Sequence, residues 1–178
     1  RADLDFIGSI DNVSVKATTI PAADGPGTDV ASDSVGSNHG ALVNFTAGPA
    51  KWSSDKPSAL SGVTGSLVFD GADDLLIPGT AISAGTTHSF AVWVKSAMVG
   101  EIIAGSTSTH YLLLYSAGIL YYEIAGSFVG VSYTPDANTW KHLVITRSGT
   151  TVTFYENGVQ LGATQTLATN NALTISKI

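Results

Sequence analysis

The chain has 178 residues, no cysteine, and 8 basic against 14 acidic side chains, a net charge of −6. This excludes a disulfide framework and a thiolate zinc site, and it argues against nucleic acid and anionic membranes as partners, since both are held by clustered Lys and Arg. With 12% charged residues and 19 glycines, the composition fits many short strands joined by tight turns in an all-β domain, and no apolar run reaches the roughly 18 to 20 residues of a membrane span.

In chain order, residues 4–16 alternate like a strand, with Ile10, Val13 and Val15 inward around a turn or bulge at Asp11-Asn12. Residues 17–65 carry Pro21, Pro26, Pro49 and Pro57, which interrupt ladder pairing. They read as a long irregular approach with a short strand at 41–45, followed by another at 66–69. From there strands recur at sandwich spacing: 89–95, 101–104, 110–116, 119–125, 127–133, 141–147, 151–156 and 159–164. The clearest unit is 141–159. Leu143 and Ile145 fall on one face, His142, Val144 and Thr146 on the other, and Asn157-Gly158 supplies the two positive-φ residues of a type I′ turn. No segment sustains a 3.6-residue period with caps.

Aromatic residues are where sugar binding would show, because the apolar face of a pyranose stacks on an aromatic ring. Tyr111, Tyr115, Tyr121, Tyr122 and Tyr133 crowd three successive strands and form the candidate ligand platform. Alternation puts Tyr111 and Tyr115 on one face of their strand, and Tyr121 and Tyr122 on opposite faces of the next. A sandwich also needs aromatic core, which is the competing reading, and Trp93 and Trp140 are expected there. His39, His88, His110 and His142 are scattered without metal-ligand spacing. Asp70, Asp73 and Asp74 bunch in a Gly-containing turn. There they either bond nearby amides, the simpler reading, or gather oxygen ligands for a hard cation.

Four segments, in order, resemble the laminin-G-like jelly rolls of the concanavalin A-like lectin/glucanase superfamily. They are Asp33-Ser-Val-Gly-Ser-Asn-His-Gly-Ala-Leu, Ser66-Leu-Val-Phe-Asp-Gly-Ala-Asp-Asp-Leu-Leu, Ser89-Phe-Ala-Val-Trp-Val-Lys, and the Trp140-Lys-His-Leu-Val-Ile-Thr to Tyr155-Glu-Asn-Gly hairpin. The resemblance implies a β-sandwich of two antiparallel sheets over residues 17–178. It also implies a structural Ca²⁺ held by Asp33 and Asn38, joined by Asp24 and Asp11, although the family's W-x-F-D-E opening is here Thr19-Ile-Pro-Ala-Ala-Asp24. Residues 1–16 carry a pattern that closes such domains but stands first in this chain. The segment is expected to end a preceding domain, to be a permuted closing strand, or to complete a neighbouring subunit.

The superfamily's glucanases set carboxylates on alternate residues of one strand, about 5 to 5.5 Å apart. Of the three glutamates here, Glu101, Glu123 and Glu156, none has an acidic neighbour at that spacing. The expectation is therefore a non-enzymatic module of an extracellular or virion-surface protein, such as a phage fibre or a bacterial adhesin, binding surface glycans. The alternative is a structural subunit of a capsid, filament or fibre that contacts other copies of itself or neighbouring subunits, with no nucleic acid and no membrane involved.

Overall fold

The computed structural model describes residues 30–31, 37–45, 51–61, 65–95, 102–107 and 110–178. The segment 1–16, with Asp11, and also Asp24, Asp33 and Glu101, lie outside the described residues. In chain order the strands are β1 (Val30–Ala31), β2 (Gly40–Val43), β3 (Trp52–Ser53), β4 (Ser66–Leu67), β5 (Leu75–Pro78), β6 (Ile82–Gly85), β7 (Thr87–Val94) and β8 (Ile102–Thr107). They continue with β9 (His110–Ser116), β10 (Ile119–Ile124), β11 (Ser127–Ser132), β12 (Lys141–Ser148), β13 (Thr151–Glu156), β14 (Val159–Thr166) and β15 (Leu173–Ile175). Two four-stranded antiparallel sheets, β11-β10-β9-β8 and β14-β13-β12-β7, form the sandwich. The smaller groups β1-β2-β5, β15-β6 and β3-β4 flank it.

The turns follow from the residues at them. Asn157 and Gly158 both have positive φ, 50° and 84°, so the β13–β14 connection is the type I′ turn that its sequence spells. Two further two-residue turns place alanine first, at Ala117 (φ 52°) and Ala125 (φ 50°), each followed by a glycine. Strands β5 and β6 were not anticipated, because Leu75–Pro78 ends in a proline and follows directly on the Asp-rich turn, which masks its apolar run. Leu76 also exchanges both backbone hydrogen bonds with Ile178, at 2.7 and 2.8 Å, so the chain's last residues lie along the outer edge of β5.

Alternation then fills the space between the sheets. Leu120, Tyr122 and Ile124 of β10 and Leu143 and Ile145 of β12 point inward with Val152 and Phe154 of β13, and all seven are at most 1% exposed. Burying each side chain of this size stabilises by about 1.5–3 kcal/mol. The same phase corrects the expectation for tryptophan. On β7 the inward positions are Phe90, Val92 and Val94, packed against the core, which leaves Trp93 on the outer face. It is half-buried there and stacks on His142, its cross-strand partner, with ring centroids 5.0 Å apart. Trp140 is also only half-buried, and its indole N–H donates to Asp55 at 2.9 Å.

Three charged side chains among the described residues, Lys51, Lys141 and Arg147, are buried. Arg147, on the inward face of β12, is 3% exposed. Its Nε donates to the Gly149 carbonyl (2.8 Å), Nη1 to the Tyr122 hydroxyl (3.0 Å), and Nη2 to the Asn171 carbonyl (2.8 Å) and Asn170 Oδ1 (3.3 Å). Because Arg147 donates to Tyr122, the phenol proton is left for His88 Nε2, 3.3 Å away, and His88 pairs with Arg147 across β7 and β12. Desolvation first, and the Arg147 charge second, hold His88 below its ordinary value of 6.5. The unfolded chain therefore takes up a proton at higher pH than the folded one, and this contribution to stability is complete above about pH 6.5 and is lost as pH falls below it. We expect urea midpoints of the wild type to drop as pH falls below about 6.5. His88→Gln should flatten that slope, whereas parallel curves would show that the network does not sense the proton.

Candidate functional site

The outer face of the β8–β11 sheet carries the most exposed aromatic side chain among the described residues. On β10 the inward set is Leu120, Tyr122 and Ile124, so Ile119, Tyr121 and Glu123 face outward, each half-buried. On β11 the inward set is Ser127, Val129 and Val131, which puts Phe128 outside at 65% exposure. Register then assembles a shelf. Glu123 is directly opposite Phe128 and Tyr121 opposite Gly130. The Tyr121 and Phe128 rings meet edge to face, 6.0 Å between centroids at 78°, the arrangement that ring quadrupoles favour.

Gly130 makes the floor of this shelf. A Cβ there would lie 2.6 Å from Ile119 Cγ2, 2.8 Å from Tyr121 Cδ1 and 3.0 Å from the Leu120 carbonyl oxygen. The Tyr121 ring and the Ile119 side chain thus lean over the glycine, occupying the space a side chain would need. The shelf is largely apolar and open at Phe128, and Glu123, paired with Phe128, is the acceptor nearest in register.

The five tyrosines divide. Tyr121 is on the shelf. Tyr122 (0% exposed) and Tyr133 (5%) are core residues, not platform residues, since their strand phase is that of Leu120 and Val131. Tyr115 packs against the core and meets Tyr133 edge to face at 6.1 Å. The pairing of β9 with β10 shifts register between Tyr121 and Glu123, as at a bulge, and the Tyr111 side chain lies outside the described residues. Phe128, Ile119 and Gly130 were not foreseen, although the inward phase of Val129 and Val131 already places Phe128 outside.

At the opposite sheet's end, Glu156 is committed to Lys141. The Lys141 Nζ lies 2.8 Å from Glu156 and 2.7 Å from Asp136, and hydrogen bonds to Asp136 first and Glu156 second hold the ammonium above its ordinary range. The Tyr133 phenol lies toward the same glutamate. Burial first and that carboxylate second raise it above the usual tyrosine value.

Of the expected calcium ligands, Asn38 is the one among the described residues. Its Nδ2 donates to the Thr80 carbonyl at 2.9 Å while its Oδ1 accepts the Thr80 N–H at 2.6 Å, tying β2's approach to the turn after β5. Asp70, Asp73 and Asp74 each offer a carboxylate oxygen within 4.8 Å of the others. Turn chemistry uses part of the set. Asp70 Oδ1 accepts the N–H of Ala72 (2.8 Å) and of Asp73 (3.4 Å), and Asp74 Oδ2 accepts that of Asp70 (2.8 Å). Asp74 Oδ1 is buried and has no hydrogen-bond partner. A hard cation takes this kind of oxygen set, so the residues fit one.

Two packed antiparallel sheets, with no helix among the described residues, make an all-β sandwich of the concanavalin A-like type. The chain belongs to the concanavalin A-like lectin/glucanases superfamily, whose laminin-G-type family model matches residues 69–176. No curated protein is similar enough to the chain to count as a match.

Proposed function

We propose that this domain is a non-catalytic glycan-binding module of an extracellular or virion-surface protein, a phage fibre or bacterial adhesin among them, and that the Tyr121–Phe128 shelf is its ligand face. The observation that carries the reading is Phe128, a large aromatic 65% exposed beside a second ring and a carboxylate. Glycosidase chemistry needs two carboxylates facing one bond. Glu123 stands on the outside of one sheet and Glu156 is ion-paired on the other, which supports binding without hydrolysis. Stacking on one ring contributes about 0.5–1.5 kcal/mol. Phe128→Ala is therefore expected to weaken glycan binding by about tenfold or less with the melting temperature unchanged, as measured by calorimetry. Equal affinity of variant and wild type would overturn the assignment.

Ca²⁺ at Asp70, Asp73 and Asp74 belongs to the same proposal. A bound ion would hold the turn between β4 and β5 and satisfy Asp74 Oδ1. Added Ca²⁺ is expected to raise the melting temperature and EDTA to reverse this, because a ligand of the folded state alone stabilises it. Asp74→Asn should abolish the response. A melting curve indifferent to both additions would leave these residues as turn formers.

A second reading, a structural subunit of a capsid, filament or fibre, rests on a different face. Val30 and Ile77 are 39% and 37% exposed and flank exposed Ala41 across β1-β2-β5 in one register. This is an apolar row suited to contact with another copy or a neighbouring subunit. Concentration-dependent sedimentation that Ile77→Ser abolishes and Phe128→Ala spares would favour it.

A further inference from the structure

We propose that the shelf selects uncharged sugars and rejects sialylated, uronate-containing and sulfated glycans. This rests on the glycan reading above and specifies its ligand class. The first argument is what the four strands lack. Residues 102–107 and 110–132 contain no lysine and no arginine, and Glu123 is their one carboxylate. Sugar carboxylates and sulfates are recognised by guanidinium or ammonium groups, which replace the water lost on binding with charge-assisted hydrogen bonds. The shelf has none to offer.

The second argument is what the shelf presents. Glu123 is paired in register with Phe128, and neighbours across an antiparallel pair have their Cβ atoms about 4.5–5.5 Å apart. A sugar ring stacked on Phe128 therefore lies within reach of the glutamate. An ionised carboxylate accepts hydrogen bonds and donates none, so it matches a hydroxyl or amide N–H on the ring. An anionic substituent there would meet a like charge over an apolar floor, where screening by water is weakest. The chain's net charge of −6 adds long-range repulsion of the same sign.

The third argument is shape. With no side chain at Gly130, the ring of Tyr121 and the Ile119 side chain lie over the strand, and the Tyr121 ring meets Phe128 edge to face. The face suits the C–H side of a pyranose, whose hydroxyls stay at the rim in water. Specificity then comes from exclusion as much as from attraction.

The test is a printed array carrying neutral hexose and N-acetylhexosamine glycans beside sialylated, uronate and sulfated ones, probed with wild type, Phe128→Ala and Glu123→Gln at two salt concentrations. Wild type should be retained by neutral glycans only, and Phe128→Ala should lose that signal. Glu123→Gln should narrow the gap between each neutral glycan and its acidic counterpart, since the like charge is gone. Retention of acidic glycans that Phe128→Ala abolishes would overturn the selectivity while leaving glycan binding at the shelf intact. If wild type were retained by no glycan, the underlying reading would fall and the selectivity with it.

Discussion

Replacing Arg147 by alanine is expected to destabilise the domain by about 3 kcal/mol or more, the largest effect of any single substitution outside the apolar core. The guanidinium is 3% exposed and bonds neutral acceptors: the carbonyls of Gly149 and Asn171, the Asn170 side chain and the Tyr122 hydroxyl. Truncation leaves the buried Tyr122 hydroxyl without its donor, and a buried polar group left unmet costs about 1–3 kcal/mol, whereas the Gly149, Asn170 and Asn171 acceptors are partly or fully open to water. It also opens a cavity beneath Tyr122, over whose ring the guanidinium carbon lies at 5.8 Å. Arg147→Lys should recover only a minor part, because a point-like ammonium cannot span acceptors on β10, the β12–β13 turn and the 170–171 loop together. Arg147→Met separates volume from hydrogen bonding by restoring bulk alone. Denaturant midpoints with an unchanged m-value would report these losses. A wild-type midpoint for Arg147→Ala would mean that water serves the acceptors equally well.

The second large effect is expected at Gly130. Its φ is not among the positive ones, so backbone strain is not the issue. The clash is with Ile119 and Tyr121 side chains and, at 3.0 Å, with the Leu120 carbonyl, which is fixed in the β10–β11 ladder. Gly130→Ala should cost about 1–3 kcal/mol as an overpacked site and should tilt Tyr121 off the shelf, so that stability and glycan affinity fall together. Phe128→Ala, by contrast, should lower affinity alone. If Gly130→Ala kept full affinity despite a lowered melting point, Tyr121 would not be part of the ligand face.

The sandwich strands were legible because strand phase and turn chemistry agree. The 141–159 hairpin has apolar residues on one face and Asn157-Gly158 at its turn, and the structure follows both. The shelf was legible only in part. Tyr121 and Tyr122 fall on opposite faces as alternation requires, but the register between β9 and β10 shifts between Tyr121 and Glu123, and nothing local in the sequence marks such a shift. Trp93 was misassigned because residue type was weighed above phase, since its neighbours Val92 and Val94 already claim the inward side. The burial of Arg147 was not legible at all. Its strand position is inward, yet only the tertiary meeting of Tyr122, Asn170 and Asn171 supplies the acceptors that make the position tolerable.

The paired hydrogen bonds between Leu76 and Ile178 also bear on the order in which the molecule assembles. They join residues 102 positions apart, 178 minus 76, whereas β12 and β13 meet across a two-residue turn. Closing a long loop costs entropy before any contact rewards it. The β12–β13–β14 meander is therefore expected to form early, and the outer edge of β5 to be capped last. Until then β5 is an open edge whose Leu76 amide and carbonyl are free to pair with a strand from another polypeptide. The interval before that cap arrives is when the nascent domain is most exposed to mispairing. A crowded synthesis site, in which many copies share the same unfinished edge, lengthens the odds against correct closure most.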